Sequence, residues 1–404
     1  MGFSLLFLVF FINGVFCAFY PKKAIFLFIL LSVLIPTSSA FTNLTYSSGF
    51  FVIDAFFLAL TIVLLIRIAI LRKVHINIRE ILFFSLPIFI FTLYFLFSVL
   101  NNSFNLKILK EIRPILLLIE TIVFIIFIRQ VDFKVSFKTI SKLAIIAAIS
   151  NLFYFLILFF DFIVPSDIYY INNTYRYLDL STYFSIYYII HYFIIKENKF
   201  FTKSFYQSIA LCFSFATIIV ANSRFLILAL FIALIFSNMS NYKLLIKRIF
   251  LGLIVVFLFI GVSYLLGAER VLNALNTDAI VMQLSNRYLP AILDIYKMQD
   301  IQKVFGYGLG HYFEIPWFDY RQNIENQNIS VDCAYLTVYV KQGLLGILSL
   351  ILTTHLLVSI KGVKHKVALI IFWGSMFIVS SSFYQIYPLG AVIYNAFLST
   401  NEIT

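Results

Sequence analysis

Apolar stretches of spanning length recur along almost the whole chain, and they decide what it can fold into. They fall near residues 3–20, 24–41, 50–70, 81–100, 114–128, 143–163, 177–195, 205–222, 225–240, 249–266, 340–360 and 367–386, with a shorter one near 388–399. A helix needs about 20 apolar residues to cross the hydrocarbon of a bilayer. Strands of a membrane barrel alternate apolar with polar residues, whereas runs such as 143–160 are apolar on every side, so helices are expected. Only 12% of the 404 residues are charged, against about 25% in soluble domains. A globule of this size cannot hide so much apolar surface, and much of it must face lipid. The expected fold class is all-α: a polytopic membrane bundle of about twelve helices, within a range of eleven to fourteen.

Orientation is read from Lys and Arg. Alternate loops are basic: Lys22 and Lys23, Arg67 to Arg79, Arg129 to Lys142, Lys196 to Lys203, Lys243 to Arg248, and Lys361 to Lys366. These loops hold nineteen basic residues, and the short loops between them hold five, including Arg113, Arg176 and Arg224. Such a bias assigns the first set to the cytoplasm. The net charge of +12 is spread in these clusters and forms no phosphate-tracking groove, which excludes nucleic acid as a partner. The first twenty residues lack the basic start of a secretion signal, and Lys22 and Lys23 follow them, so they are read as a first span with an outer N-terminus. Cys17, Cys212 and Cys333 are far apart, and neither a disulfide framework nor a metal site is indicated.

Three parts are expected: helices one to ten in residues 1–266, a large extracytoplasmic helical loop in 267–331, and C-terminal helices in 332–404. Within the loop, Tyr288, Leu289, Ile292, Leu293 and Tyr296 recur at helical spacing, with Ser285 or Asn286 as the expected cap. A folded lid over the bundle is expected there.

Chemistry-bearing residues gather between 222 and 346. Ser223-Arg224 lies at the turn of an outward-facing hairpin, where a guanidinium can bind phosphate or snorkel to lipid headgroups. Arg287, beside Tyr288, is expected in the first turn of the loop helix, suited to an external anion or simply solvated. Gly306, Gly308 and Gly310 allow a left-handed path and close backbone approach to a ligand, or stop a helix. No strand precedes them, so no dinucleotide site is expected. His311, Glu314, Trp317 and Glu325 mix rings with polar groups that suit a sugar, although Trp317 also fits an interfacial belt. Asp332 and Tyr335 share a helix face with Tyr339 at the mouth of a span; Asp332 is a general-base candidate or a helix cap, with Glu314 and Glu325 as rival bases.

Taken in order, Ser223-Arg224, Arg287, Gly306 to Gly310, and Asp332 followed by Gly343 and Gly346 resemble the Wzy-type O-antigen polymerases, within the group that includes the O-antigen ligases. The resemblance covers residues 220–346 by motif and the N-terminal half by hydropathy alone. It implies a GT-C-like glycosyltransferase of a bacterial inner membrane, with its active site facing the periplasm. Donor and acceptor would be polyprenyl-pyrophosphate-linked glycans, joined into O-antigen or capsular polysaccharide without metal or nucleotide cofactor. Membrane lipids surround such an enzyme, and a chain-length regulator is its candidate protein partner. Where related ligases carry a His at the start of the helix after the loop, this chain has Asp332, which favours polymerase over ligase. A precursor flippase is the non-enzyme alternative; it would show two related halves and midspan charges.

Overall fold

Each of the twelve apolar runs carries an α-helix in the computed structural model of the chain. Described are residues 2–47, 49–71, 78–102, 111–131, 133, 135–163, 177–195, 205–236, 242–265, 277–315, 327–357, 363–381, 383, 387–390 and 393. The elements are α1 (Gly2–Phe16), α2 (Pro21–Leu34), the single turn α3 (Thr42–Thr45), β1 (Tyr46–Ser47), β2 (Phe50–Phe51), α4 (Asp54–Leu71), α5 (Ile78–Asn102), α6 (Arg113–Val131) and α7 (Phe137–Phe159). Then follow α8 (Leu180–Ile195), α9 (Phe205–Val220), α10 (Arg224–Phe236) and α11 (Tyr242–Leu265). The C-terminal part holds α12 (Thr277–Lys297), α13 (Asp300–Phe305), β3 (Phe313–Glu314), β4 (Gln327–Asn328), α14 (Ala334–Leu357) and α15 (Val363–Val379). The protein is therefore mostly helical, and among the described residues two ladders are antiparallel pairs of two-residue strands.

Among the described residues, three helices are long and apolar enough to cross a membrane: Phe137–Phe159, Leu245–Val262 and Ala334–His355. Large apolar side chains point outward from several elements, Leu65, Ile70, Leu100, Phe257 and Leu265 among them. A surface this apolar is at home in a bilayer. The interior is built from rings. Phe28 stacks on Phe56 at 3.8 Å, and Tyr183 lies parallel to Trp373, whose indole N–H donates to the Tyr187 hydroxyl at 2.9 Å.

Helix α4 packs on α1 and α6, α6 on α5, α5 on α14, and α14 on α15, which runs against α10. Helix α14 is broken. Gly343 has non-helical dihedrals, φ 60° and ψ −153°, so the carbonyls just before it have lost their helical donors. The glycine turn after α13 supplies replacements: Tyr307 N–H donates to the Val340 carbonyl and Gly308 N–H to the Lys341 carbonyl, both at 2.8 Å. Tyr94, from α5, donates its hydroxyl to the Gln342 carbonyl at 2.9 Å. A break in an apolar helix survives only where protein satisfies its backbone in this way.

Two local expectations are corrected. Helix α12 begins at Thr277, so neither Ser285 nor Asn286 caps it, and Arg287 lies in mid-helix rather than in a first turn. Residues 277–284 continue the helix across the expected start, and Pro290 is accommodated inside it. Asp332 precedes α14 rather than forming its first turn.

Candidate functional site

The turn between α9 and α10 sets the first cation. Asn222 takes the left-handed region, φ 45°, which Asn tolerates. The chain thereby reverses, and Ser223 accepts the N–H of Ile227 on its carbonyl at 3.3 Å to open α10. Arg224 is the first residue of α10, half-buried. Helix α12 brings the second cation to the same place: the Arg287 guanidinium lies over the Phe225 ring, 5.7 Å from its centre. The two guanidinium groups are close enough for the charge of Arg287 to act on Arg224. Asp332 completes the group, its Oδ2 3.4 Å from Arg287 Nε. Arg287 therefore links Asp332 to the start of α10, where Arg224 lies, although the three residues come from separate segments.

Tyr288, the next residue on α12, donates its hydroxyl to the Ile378 carbonyl at 3.0 Å and ties the site to the end of α15. Burial pushes its phenol up, with Cys333 and Asp332 adding to the effect and Arg287 opposing it, so it remains a neutral donor. Burial also raises the Cys333 thiol, which removes it as a nucleophile near neutral pH. Tyr335 donates to the Gly374 carbonyl at 3.2 Å and braces α14 against α15.

The glycine turn has all three glycines at positive φ: Gly306 73°, Gly308 96° and Gly310 90°. Its close approach is to helix α14 rather than to a ligand. A Cβ on Gly306 would collide with the backbone of Lys341 and Gln342, and one on Gly343 with the backbone of Val304 and Phe305. His311, just after the turn, bonds through Nε2 to Asp294 Oδ2 at 2.9 Å. Glu314 stands exposed on the β3–β4 ladder. Trp317 and Glu325 lie outside the described residues.

Several charged side chains were not legible as partners. Glu111 Oε1 accepts from the Lys341 ammonium at 2.6 Å and from the Gly310 N–H at 3.0 Å, all within the protein interior. Arg113 is clamped by Asp54 at 2.8 Å and by Glu120 at 3.1 Å. Asp54 and Glu120 also line a cavity of about 540 Å³ walled by Phe3, Phe7, Phe50 and Phe57. Among the described residues, no three His, Cys, Asp or Glu side chains gather as a metal site would.

Residues 118–402 match a family of unknown function, DUF6369. The chain belongs to this family. The matched stretch includes Arg224, Arg287, Asp294, His311, Asp332 and Lys341, and it leaves Asp54 and Arg113 outside. No curated protein and no solved structure matches the chain.

Proposed function

We propose that the protein is a membrane glycosyltransferase that joins polyprenyl-pyrophosphate-linked oligosaccharide repeats into a surface polysaccharide at the outer face of a bacterial inner membrane. The observation that carries this reading is the placement of Arg287 over Phe225, the residue that follows Arg224 at the start of α10, so that two arginines stand at one place. Two guanidinium groups held together repel, and a bound diphosphate offsets that cost with planar, charge-assisted hydrogen bonds to both. A polyprenyl pyrophosphate is already an activated leaving group, so the chemistry left to the protein is to place the sugars and to neutralise charge as the glycosidic bond breaks. Asp332 forms an ion pair with Arg287, its Oδ2 3.4 Å from Nε. Rings beside polar groups around Tyr288, Tyr307 and His311 suit a glycan.

On this reading the basic loops face the cytoplasm, the twelve apolar helices all span, and residues 267–331 cover the site from outside. Arg224→Ala and Arg287→Ala are each expected to lower polymerisation about 10²- to 10³-fold, as loss of one transition-state donor does elsewhere. Arg→Lys at either position is expected to remain impaired, because an ammonium cannot reproduce the fork. The assay is polymer length on a gel from cells that carry each variant in place of the wild-type chain. Full-length ladders from both alanine variants would remove the proposal.

A further inference from the structure

Helix α12 carries Arg287 and Asp294 seven residues apart. Seven residues are two turns, so the pair shares a face, with Cα atoms about 10 Å apart. Each leads to a different group: Arg287 to Asp332, and Asp294 to His311. The His311 ring is fixed on three sides. Asp294 Oδ2 holds Nε2 at 2.9 Å. Tyr307 stacks on the ring at 4.8 Å and 13°, and Phe313 meets it edge-on at 5.4 Å. Tyr307 is itself tied down, its hydroxyl donating to the Asp294 carbonyl at 3.2 Å. The neighbouring Gly310 N–H is anchored on Glu111. With Nε2 donating to the carboxylate, Nδ1 carries the lone pair. The His311 side chain remains 25% exposed, so a ligand can reach it.

We propose that His311 is the general base that activates the acceptor hydroxyl, with Asp294 as its positioning residue; this rests on the glycosyl-transfer reading above. Displacement at a sugar carbon puts the leaving and attacking oxygens on opposite sides. Arg287 and Asp294, which holds His311, stand two turns apart on α12, so the two groups address different parts of one ligand. Asp332, at 3.4 Å from Arg287, sits on the leaving-group side, where a carboxylate cannot reach a nucleophile approaching from the far face. In the step, the acceptor hydroxyl proton passes to His311 Nδ1. The hydroxyl oxygen bonds to the anomeric carbon, and the bond from that carbon to the pyrophosphate oxygen breaks. The electron pair leaves on the pyrophosphate, where the two arginines balance it.

The test uses the full chain in lipid vesicles, with lipid-linked repeat units extracted from cells that lack it. Polymerisation rate and thermal protection by inorganic pyrophosphate are measured in parallel. His311→Ala and His311→Gln are expected to lose about 100-fold or more in kcat while pyrophosphate still protects them as it does the wild type. Added imidazole should restore part of the turnover to His311→Ala. Asp294→Asn should lower kcat with KM unchanged, and Asp294→Glu should recover much of it. Wild-type turnover in both His311 variants, with protection intact, overturns the base assignment and leaves the arginine clamp standing. Failure of pyrophosphate to protect the wild type overturns the clamp, and this inference falls with it.

Discussion

Lys341 shows how charge is managed inside this protein. Its side chain is fully buried, and its ammonium is paired with Glu111, 230 residues earlier in the chain. A signal was present in the sequence, because a lysine inside an apolar run must find an anion. Its partner could not be named, since nothing local links a residue before α6 to one in α14. The same holds for Asp294, an ordinary surface charge on a helical wheel until the fold delivers His311 to it. Arg224 and Asp332 were legible for the opposite reason, as charges beside apolar runs where lipid leaves few plausible roles, and Arg287 as a cation on the expected loop helix. Removing one member of a buried pair strands the other. Glu111→Gln is therefore expected to destabilise the protein by about 3–5 kcal/mol, and the double variant Glu111→Gln with Lys341→Met to recover most of the loss. Thermal unfolding in detergent measures both, and equal losses in the single and double variants would contradict the argument.

The broken helix α14 and the glycine turn form one element in two pieces. The turn donates the N–H groups of Tyr307 and Gly308 to carbonyls that the break at Gly343 releases. Because the backbones touch, Gly306 and Gly343 need both a positive φ and the absence of a side chain, whereas a Cβ on Gly308 would meet nothing closer than Ser98 Oγ at 3.9 Å. Alanine at Gly308 is expected to cost the left-handed strain alone, about 1–2 kcal/mol. Alanine at Gly306 or Gly343 is expected to cost more, because the turn must also lift off the helix. Unfolding midpoints of the three variants rank them, and a Gly308 variant as unstable as the other two would show that contact is not the cause. The alternating glycines announced the left-handed path in the sequence but not its destination, which lies on a helix far along the chain, at Val340 and Lys341. The start of α12 was misread for a related reason. Ser285-Asn286 looks like a cap locally, yet the helical segment before it is long enough to run through, and Pro290 does not end it.

At the scale of the whole molecule, each apolar run carries a helix, whereas the 21-residue α12 lies in none of them; in lipid, backbone groups must be satisfied within the segment. Helix α11 illustrates the result, with Phe257 and Leu265 turned outward where water would penalise them. Which end of each helix faces which side is a separate matter, set by the distribution of Lys and Arg. The candidate site is bound to that choice, since the α9–α10 turn and the segment 277–333 meet at Arg224 and Arg287 and must lie on one side together. On the proposed reading, a lipid-linked glycan reaches them from the side opposite the basic loops. Labelling can separate the two orientations. With the three free thiols Cys17, Cys212 and Cys333 replaced, a cysteine at Asp300, whose side chain is 96% exposed, is expected to react with an impermeant maleimide applied to intact spheroplasts. A cysteine at the exposed Lys243, in the first turn of α11, should react only after the membrane is opened. The reverse pattern would put the arginine pair in the cytoplasm, where soluble nucleotide sugars rather than polyprenyl pyrophosphates would be the donors within reach.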